Sequence, residues 1–396
     1  MSDEVRMIPP DRLPGRRRAD SGGASGDAAS GDHSSHAGSG TRGDAVSDAA
    51  DEHRGGGTRS AGPGDTGSHH LAAEVAGATK RVLAPGDVDL SVRPAGIELP
   101  NPITSASGCF ASGAEIDRFH DVSELGAVVV KSITLEPRQG LPAPRMAETP
   151  SGMLNAIGLQ NPGVEAWIAK DLPWLRERGV RVIASVAGRT PDDFAEVARA
   201  LSEAGGDTIV ALEVNLSCPN VEDRGLVFAC SAPDSAAVVR GVAREAQVPV
   251  FAKLTSDVTD VVEIARSVVA AGADGLTLIN TLLGMAIDPE TGRAELANTY
   301  GGLSGPAIRP VAVRNVHQVH SALPEVPILG CGGVRTVTDV VQFLRAGASA
   351  VAIGTTTFVD PFIAPRVVDG LARWCAERGI AAVSDLIGAT VPARPR

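Results

Sequence analysis

The chain is poor in aromatic residues, which make up 3% of its 396 positions, and has only five cysteines. These thiols (Cys109, Cys218, Cys230, Cys331 and Cys375) are widely scattered and form no C-x-x-C pair. The scatter excludes a disulfide framework and leaves no set that could hold an iron–sulfur cluster or structural zinc within this chain alone. It fits a reduced, cytoplasmic protein with free thiols. No apolar run approaches the ~18–20 residues of a membrane span, and no apolar stretch follows "RLPGRRR" to make a secretory signal. No G-x-G-x-x-G opens a helix after a strand, and no Walker lysine loop occurs, so both nucleotide fingerprints are missing. A basic surplus is missing too. The net charge of −11 argues against nucleic acid or an anionic membrane as the main partner.

What is present divides the chain unequally. Residues 1–80 are dominated by Gly, Ser, Asp and His, and the stretch from Ser21 to His70 has a single β-branched aliphatic, Val46. Such a segment cannot bury enough apolar surface to offset its ordering entropy and is expected to be a disordered tail. Its histidines follow no regular spacing and are read as solvated rather than metal-binding. From residue 87 to about 390 the texture changes. Eight strand-like runs appear: "PITSAS", "AVVVKSI", "RVIASVAG", "ALEVNLS", "VFAKLT", "GLTLIN", "PILGCGG" and "AVAIGT". Between them lie amphipathic stretches such as "PDDFAEVARALSEAG" and "TVTDVVQFLRAGA", closed by glycine as helices are. Eight strands alternating with eight helical segments predict an α/β protein of the (β/α)8 TIM-barrel type. The stretch "SVRPAGIELPNPI" reads as a hairpin closing the barrel's lower mouth.

In such a barrel the chemistry gathers at the carboxyl ends of the strands. Those ends offer Ser105 and Ser107, then Lys131, then "EVNLSCPN" with Asn215, Cys218 and Asn220. Lys253, Asn280 with Thr281, Gly332 with Gly333, and Gly354 with Thr355 follow. Two lysines on different strands of one rim, with no acidic residue on those strands, point to a bound anionic or electron-rich ligand. "GCGG", "IGTTT" and "YGGLSGPAIRP" remove side chains where a phosphate would approach main-chain N–H groups. Histidine, the usual base, is missing from the strand ends. Outside the tail only His120, His317 and His320 occur.

Five motifs then carry a resemblance: "KSITLEPRQGLPAPRMAETPSGMLNAIGLQNPG" (131–163), "EVNLSCPN", "FAKLT", "INTLLGMAIDPETG" and "YGGLSGPAIRP". Together they resemble class I dihydroorotate dehydrogenases, in particular the catalytic subunit of the NAD-linked, type B branch, over roughly residues 87–390. The resemblance implies a TIM barrel that binds FMN and oxidises dihydroorotate to orotate in pyrimidine synthesis. It implies Cys218 as the catalytic base. Lys131, Asn155, Asn215, Asn220, Asn280 and Thr281, with the backbone of Ile157, Gly158 and Leu159, are implied to hold the substrate. Ser107, Lys131, Asn215, Lys253, Gly305, Gly332, Gly333, Gly354 and Thr355 are implied to hold FMN. No metal is expected. The branch further implies a homodimer of barrels joined to a subunit carrying FAD and a [2Fe–2S] cluster, in a heterotetramer that passes electrons to NAD.

The residues agree with that chemistry. Dehydrogenating a C–C bond beside a carbonyl releases a proton from one carbon and a hydride from its neighbour. No side chain accepts two electrons, so a flavin is required. A thiol with an ordinary pKa near 8.5 is a workable base near neutral pH. Asparagines both donate and accept, matching the alternating C=O and N–H of a pyrimidine edge. Dihydropyrimidine dehydrogenase-like activity on uracil or thymine is the alternative within enzymes, and "NAIGLQNPG" favours orotate. A flavin-free barrel serving as an interaction subunit is the alternative outside them. Cys109 and Cys331 are read as space-filling. Residues 221–234, which include Cys230, are read as a mobile lid, and 134–162 and 281–304 as long loops covering the rim.

Overall fold

The protein is described by a computed structural model over residues 83–217 and 228–390. Twelve strands and seven α-helices occur among these residues. The strands are β1 (Ile103–Ser105), β2 (Val128–Val129), β3 (Met146–Thr149), β4 (Gly152–Asn155), β5 (Val182–Val186), β6 (Ile209–Asn215), β7 (Val250–Leu254), β8 (Gly275–Leu278), β9 (Leu282–Gly284), β10 (Gly301–Ser304), β11 (Ile328–Cys331) and β12 (Ala350–Ile353). The helices are α1 (Val164–Glu177), α2 (Pro191–Gly205), α3 (Ala232–Glu245), α4 (Val261–Ala270), α5 (Arg309–Ala322), α6 (Val337–Ala346) and α7 (Ile363–Ala376).

Eight strands form one parallel sheet in the order β1-β12-β11-β8-β7-β6-β5-β2, matching the eight apolar runs of the sequence. The two ends of that order meet through a parallel bridge between Thr104 and Ala127. A side chain completes this seam. The Ser105 hydroxyl donates to Val129 O (3.1 Å) and accepts from Val129 N (2.8 Å), standing in for ladder bonds that the short β2 does not make. Ser105 is fully buried there and belongs to the barrel wall, not to the open mouth.

The helices start and stop as their sequences dictate. Thr190, Ser231, Asp260 and Thr336 each cap a helix by accepting from a first-turn N–H. Gly347 ends α6 in the left-handed region at φ 115°, where its lack of a Cβ is required. The expectation of eight helical segments gives way to seven α-helices. The segment between β1 and β2 runs as turns and one short 3-10 helix, Val122–Glu124. The predicted hairpin near the lower mouth is present as an antiparallel bridge between Val92 and Leu99, whose side chains join the core.

The long rim segments differ from their reading as loops. They pair into a four-stranded antiparallel sheet, β3-β4-β10-β9, drawing two strands from each segment. Glycine makes the close approach possible. A Cβ on Gly152 would lie 1.9 Å from Ser304 O, and one on Gly302 would lie 2.1 Å from Thr281 Oγ1. The tail 1–80 and the first half of the proposed lid, 221–227, lie outside the described residues, and its second half, 228–234, forms the 3-10 helix Phe228–Cys230 and the start of α3.

Candidate active site at the carboxyl end of the barrel

Alternate residues of a strand point to opposite faces, so Glu213 and Asn215 of β6 share one face. Strand register sets Lys253 beside Asn215 and Thr277 beside Lys253. Lys253 Nζ donates to Ser107 Oγ at 3.0 Å. Since β1 and β7 are not neighbours in the sheet, this bond crosses the barrel and fixes the cluster inside it. Lys253 is 4% exposed and Glu213 1%. Glu213 meets the ammonium at 3.4 Å and accepts from Thr277 Oγ1 at 3.0 Å.

That carboxylate compensates Lys253 from outside the lysines' own strands, on which no acid occurs. The acid sits on β6, the strand beside that of Lys253, two residues before the Asn215 that pairs with the lysine. Burial alone pulls the Lys253 ammonium downward. The Glu213 carboxylate, through its charge and its hydrogen bond, pushes the other way, and the pKa lies above the ordinary lysine value. Lys253 is therefore a permanent cation at the floor of the mouth.

Above this floor runs a chain of side-chain hydrogen bonds. Ser185 and Ser132 hydroxyls are 2.9 Å apart, and Asn215 Nδ2 donates to Ser132 Oγ at 3.1 Å. Asn280 Nδ2 donates to Asn215 Oδ1 at 3.2 Å, while Asn280 Oδ1 accepts from Thr281 N at 2.7 Å. The chain links the ends of β5, β6 and β8 and fixes the orientation of both amides. Each amide nitrogen carries two N–H groups and, among the described residues, uses one in these bonds, so a second remains available. Asn155, at the end of β4, is held by its own bond to Gly302 O at 3.3 Å. Lys131 is half-buried beyond β2, and its Nζ lies 3.9 Å from the position a Cβ on Gly108 would take.

Ile157, Gly158 and Leu159 form a turn after β4. Gly158 and Leu159 are both left-handed, at φ 75° and 57°. Their N–H groups, with that of Ile157, donate to no described residue, whereas Ile157 O accepts from Leu141 N at 3.0 Å. A turn with such amides can receive a carboxylate.

The glycines past β10, β11 and β12 gather at the opposite wall. A Cβ on Gly333 would lie 2.7 Å from Gly305 O, and one on Gly305 would lie 2.6 Å from Gly152 Cα. Backbone therefore stacks on backbone there. Thr355 Oγ1 donates to Ser304 Oγ at 2.8 Å and ties the wall to the rim sheet. The N–H groups of Gly333, Gly354 and Thr355 donate to no described residue. Amides of this kind after the last two strands fit a phosphate, so the residues present fit the phosphate end of FMN.

Two described thiols near the site, Cys109 and Cys331, are unsuited to act as bases. Burial, reinforced by the Cys331 thiol, pushes Cys109 up to about 12 against the pull of Lys253 and Lys131. Burial likewise raises Cys331. Both stay protonated at neutral pH, as expected for space-filling residues. Cys230 is exposed at the end of the 3-10 helix Phe228–Cys230. Cys218 and Asn220 lie outside the described residues. Among the described residues no group of three or more His, Cys, Asp or Glu is arranged to hold a metal. No described helix is long and apolar enough to cross a membrane.

Four contributors were not singled out from sequence: Glu213, Ser132, Ser185 and Asn161. Glu213 had a signal, being an acid two residues before Asn215 on the same face of an apolar strand. The serines had none, since a serine in a buried strand carries no mark of its partner.

Comparisons with known proteins follow this geometry. The family model described as dihydroorotate dehydrogenase matches residues 89–374. The "Dihydroorotate dehydrogenase B (NAD(+)), catalytic subunit" of Geobacillus kaustophilus (strain HTA426) is 51% identical over 300 residues, covering 76% of this chain and 95% of that one. The protein of the same name from Listeria monocytogenes serotype 4a (strain HCC23) is 50% identical over 297 residues, covering 75% and 97%. Among solved structures, a crystal structure of DHODH in complex with ferulenol from Eimeria tenella superposes with a TM-score of 0.64 at 25% identity. It covers 76% of this chain and 88% of that one.

Proposed function

The chain belongs to the dihydroorotate dehydrogenase family, and on that premise we propose that it oxidises dihydroorotate to orotate with FMN as the bound cofactor. The observation that carries this reading is the Asn215–Asn280 pair. Two amides locked to each other at the open end of the barrel each keep an N–H for a flat heterocycle. Asn155, Thr281 and Asn220 complete the ring contacts in this reading. The amides of Ile157, Gly158 and Leu159 take the ligand's carboxylate, which favours orotate over uracil.

Bound FMN would supply the two-electron acceptor for the hydride leaving C6. Ser107, Lys131, Asn215 and Lys253 would hold its ring, and Gly305, Gly332, Gly333, Gly354 and Thr355 its phosphate. The residues of the chain do the rest. Cys218 takes the C5 proton as thiolate. Lys253, kept charged by Glu213, presents a fixed cation where negative charge gathers on the electron-accepting side. Its position costs no reorganisation during the reaction.

The route of the electrons after oxidation extends the proposal. The chain lacks a dinucleotide fingerprint and a cluster-binding cysteine set. Its relatives are named as NAD(+)-linked catalytic subunits. We infer a cytoplasmic homodimer of barrels that joins a subunit carrying FAD and a [2Fe–2S] cluster, with NAD as the final acceptor.

Cys218→Ala tests the chemistry. The variant keeps its yellow FMN, and flavin reduction by dihydroorotate slows by about 10²–10⁴, the usual weight of a positioned base. Anaerobic stopped-flow absorbance reads the rate. Unchanged kinetics remove Cys218 from the mechanism.

A further inference from the structure

Asn161 lies two residues past the Ile157–Leu159 turn. Although it is a polar side chain, it is only 8% exposed. Every hydrogen-bonding group it has is engaged. Its backbone makes a two-way bridge with Arg138, with N donating to Arg138 O at 3.1 Å and O accepting from Arg138 N at 2.9 Å. Its Oδ1 accepts from Thr134 N at 3.2 Å and from Gly163 N at 2.9 Å. Its Nδ2 donates to Thr134 Oγ1 and to Leu159 O, both at 2.8 Å. One side chain thus ties the segment leaving β2, the start of α1 and the end of the turn to a single point.

The bond to Leu159 bears on function. Leu159 is a non-glycine residue at φ 57°, a conformation that a residue with a branched side chain adopts only when its surroundings hold it. Gly158 before it is also left-handed, and a Cβ there would lie 2.7 Å from Leu141 N. Leu141 N in turn bonds Ile157 O, so the near side of the turn is pinned by backbone. The far side is pinned by Asn161 Nδ2. Released from it, Leu159 would relax toward negative φ, and its peptide N–H would rotate away from its neighbours.

We propose that Asn161 is a positioning residue that holds the left-handed Leu159 in place, so that the turn amides stay aimed at the carboxylate of the ligand. The inference rests on the proposed assignment of that turn to the carboxylate. Asn161 touches neither substrate nor cofactor in this account. It sets the part of ligand affinity that comes from the carboxylate and leaves the ring contacts of Asn215 and Asn280 unchanged.

The test uses the FMN-loaded protein and two probes, orotate and uracil, titrated against the flavin spectrum or by calorimetry. Uracil presents the same ring without the carboxylate. Asn161→Asp keeps both Oδ1 acceptor bonds but replaces the donor to Leu159 O by an acceptor. It is expected to weaken orotate by about 10- to 100-fold and to shift uracil less than about threefold. Asn161→Ala should do the same, and Leu159→Gly placed on either variant should recover part of the orotate affinity, because glycine adopts the left-handed conformation without a tether. Equal loss for both ligands, or no rescue by Leu159→Gly, shows that Asn161 is merely structural and overturns the inference. If Asn161→Ala does not fold, the isosteric Asp variant alone decides, by the same orotate-to-uracil ratio. A wild-type protein that binds orotate no better than uracil contradicts the assignment of the turn itself, and the inference falls with it.

Discussion

Lys253 shows how a residue whose charge should be expensive is made reliable. Burial pulls its pKa down, and the Glu213 carboxylate 3.4 Å away pushes it further up. Because the folded value is raised above the unfolded one, near 10.4, the pair's stabilisation is complete below that pH. The part carried by the Lys253 proton is lost as pH rises through the higher folded value. Glu213→Gln removes the upward push and leaves burial to act alone. The variant should lose about 3 kcal/mol of stability, as expected for a buried pair with one partner deleted. It should also release FMN increasingly as pH rises from about 7 to 10, as the buried lysine loses its proton. Urea unfolding and flavin fluorescence against pH check both. Wild-type stability with pH-independent FMN retention would show that Glu213 does not govern Lys253.

At the scale of elements, the rim sheet turns two long segments into a rigid cover. Asn155 ends β4, Thr281 precedes β9 and packs against Gly302 of β10, and Ser304 ties β10 to Thr355. The proposed ligand contacts therefore depend on strand pairing as much as on side chains. Gly152→Ala places a Cβ 1.9 Å from Ser304 O, a backbone atom that cannot step aside cheaply. The substitution should force β4 off β10, raise the orotate Kd at least about tenfold and, because Gly305 packs on Gly152, weaken FMN retention as well, while the barrel stays folded. Far-UV circular dichroism and flavin-spectrum titration read the two effects separately. Retained orotate affinity would show that the cover does not position Asn155.

The same element shows where sequence reading stops. The eight barrel strands were legible because each is a short apolar run between turn residues, and their order follows from the alternation with helices. The rim strands were not, because "MAET", "GMLN" and "GGLS" are partly exposed and the pairing that joins them into one sheet, β4 to β10, spans more than a hundred residues. The lysines were legible at the strand ends, whereas the carboxylate serving one of them needed the register of β6 against β7. Asn161 carries no mark of its role in the sequence, since its bonds to Thr134 and Leu159 exist only once the chain folds back.

At the scale of the whole molecule, the barrel puts a cationic floor, an amide pair and a glycine-lined wall at one open end, and the rim sheet lies over that end. The family model spans 286 of the 396 residues, counted from 89 to 374. The relatives match over 95% or more of their own length, so the chemistry belongs to the barrel and its cover. The most direct test of the central claim is anaerobic titration of the purified, FMN-loaded chain with dihydroorotate, following flavin absorbance and orotate together. The account predicts that the flavin bleaches with one orotate formed per flavin. A flavin that stays oxidised in excess dihydroorotate would contradict it.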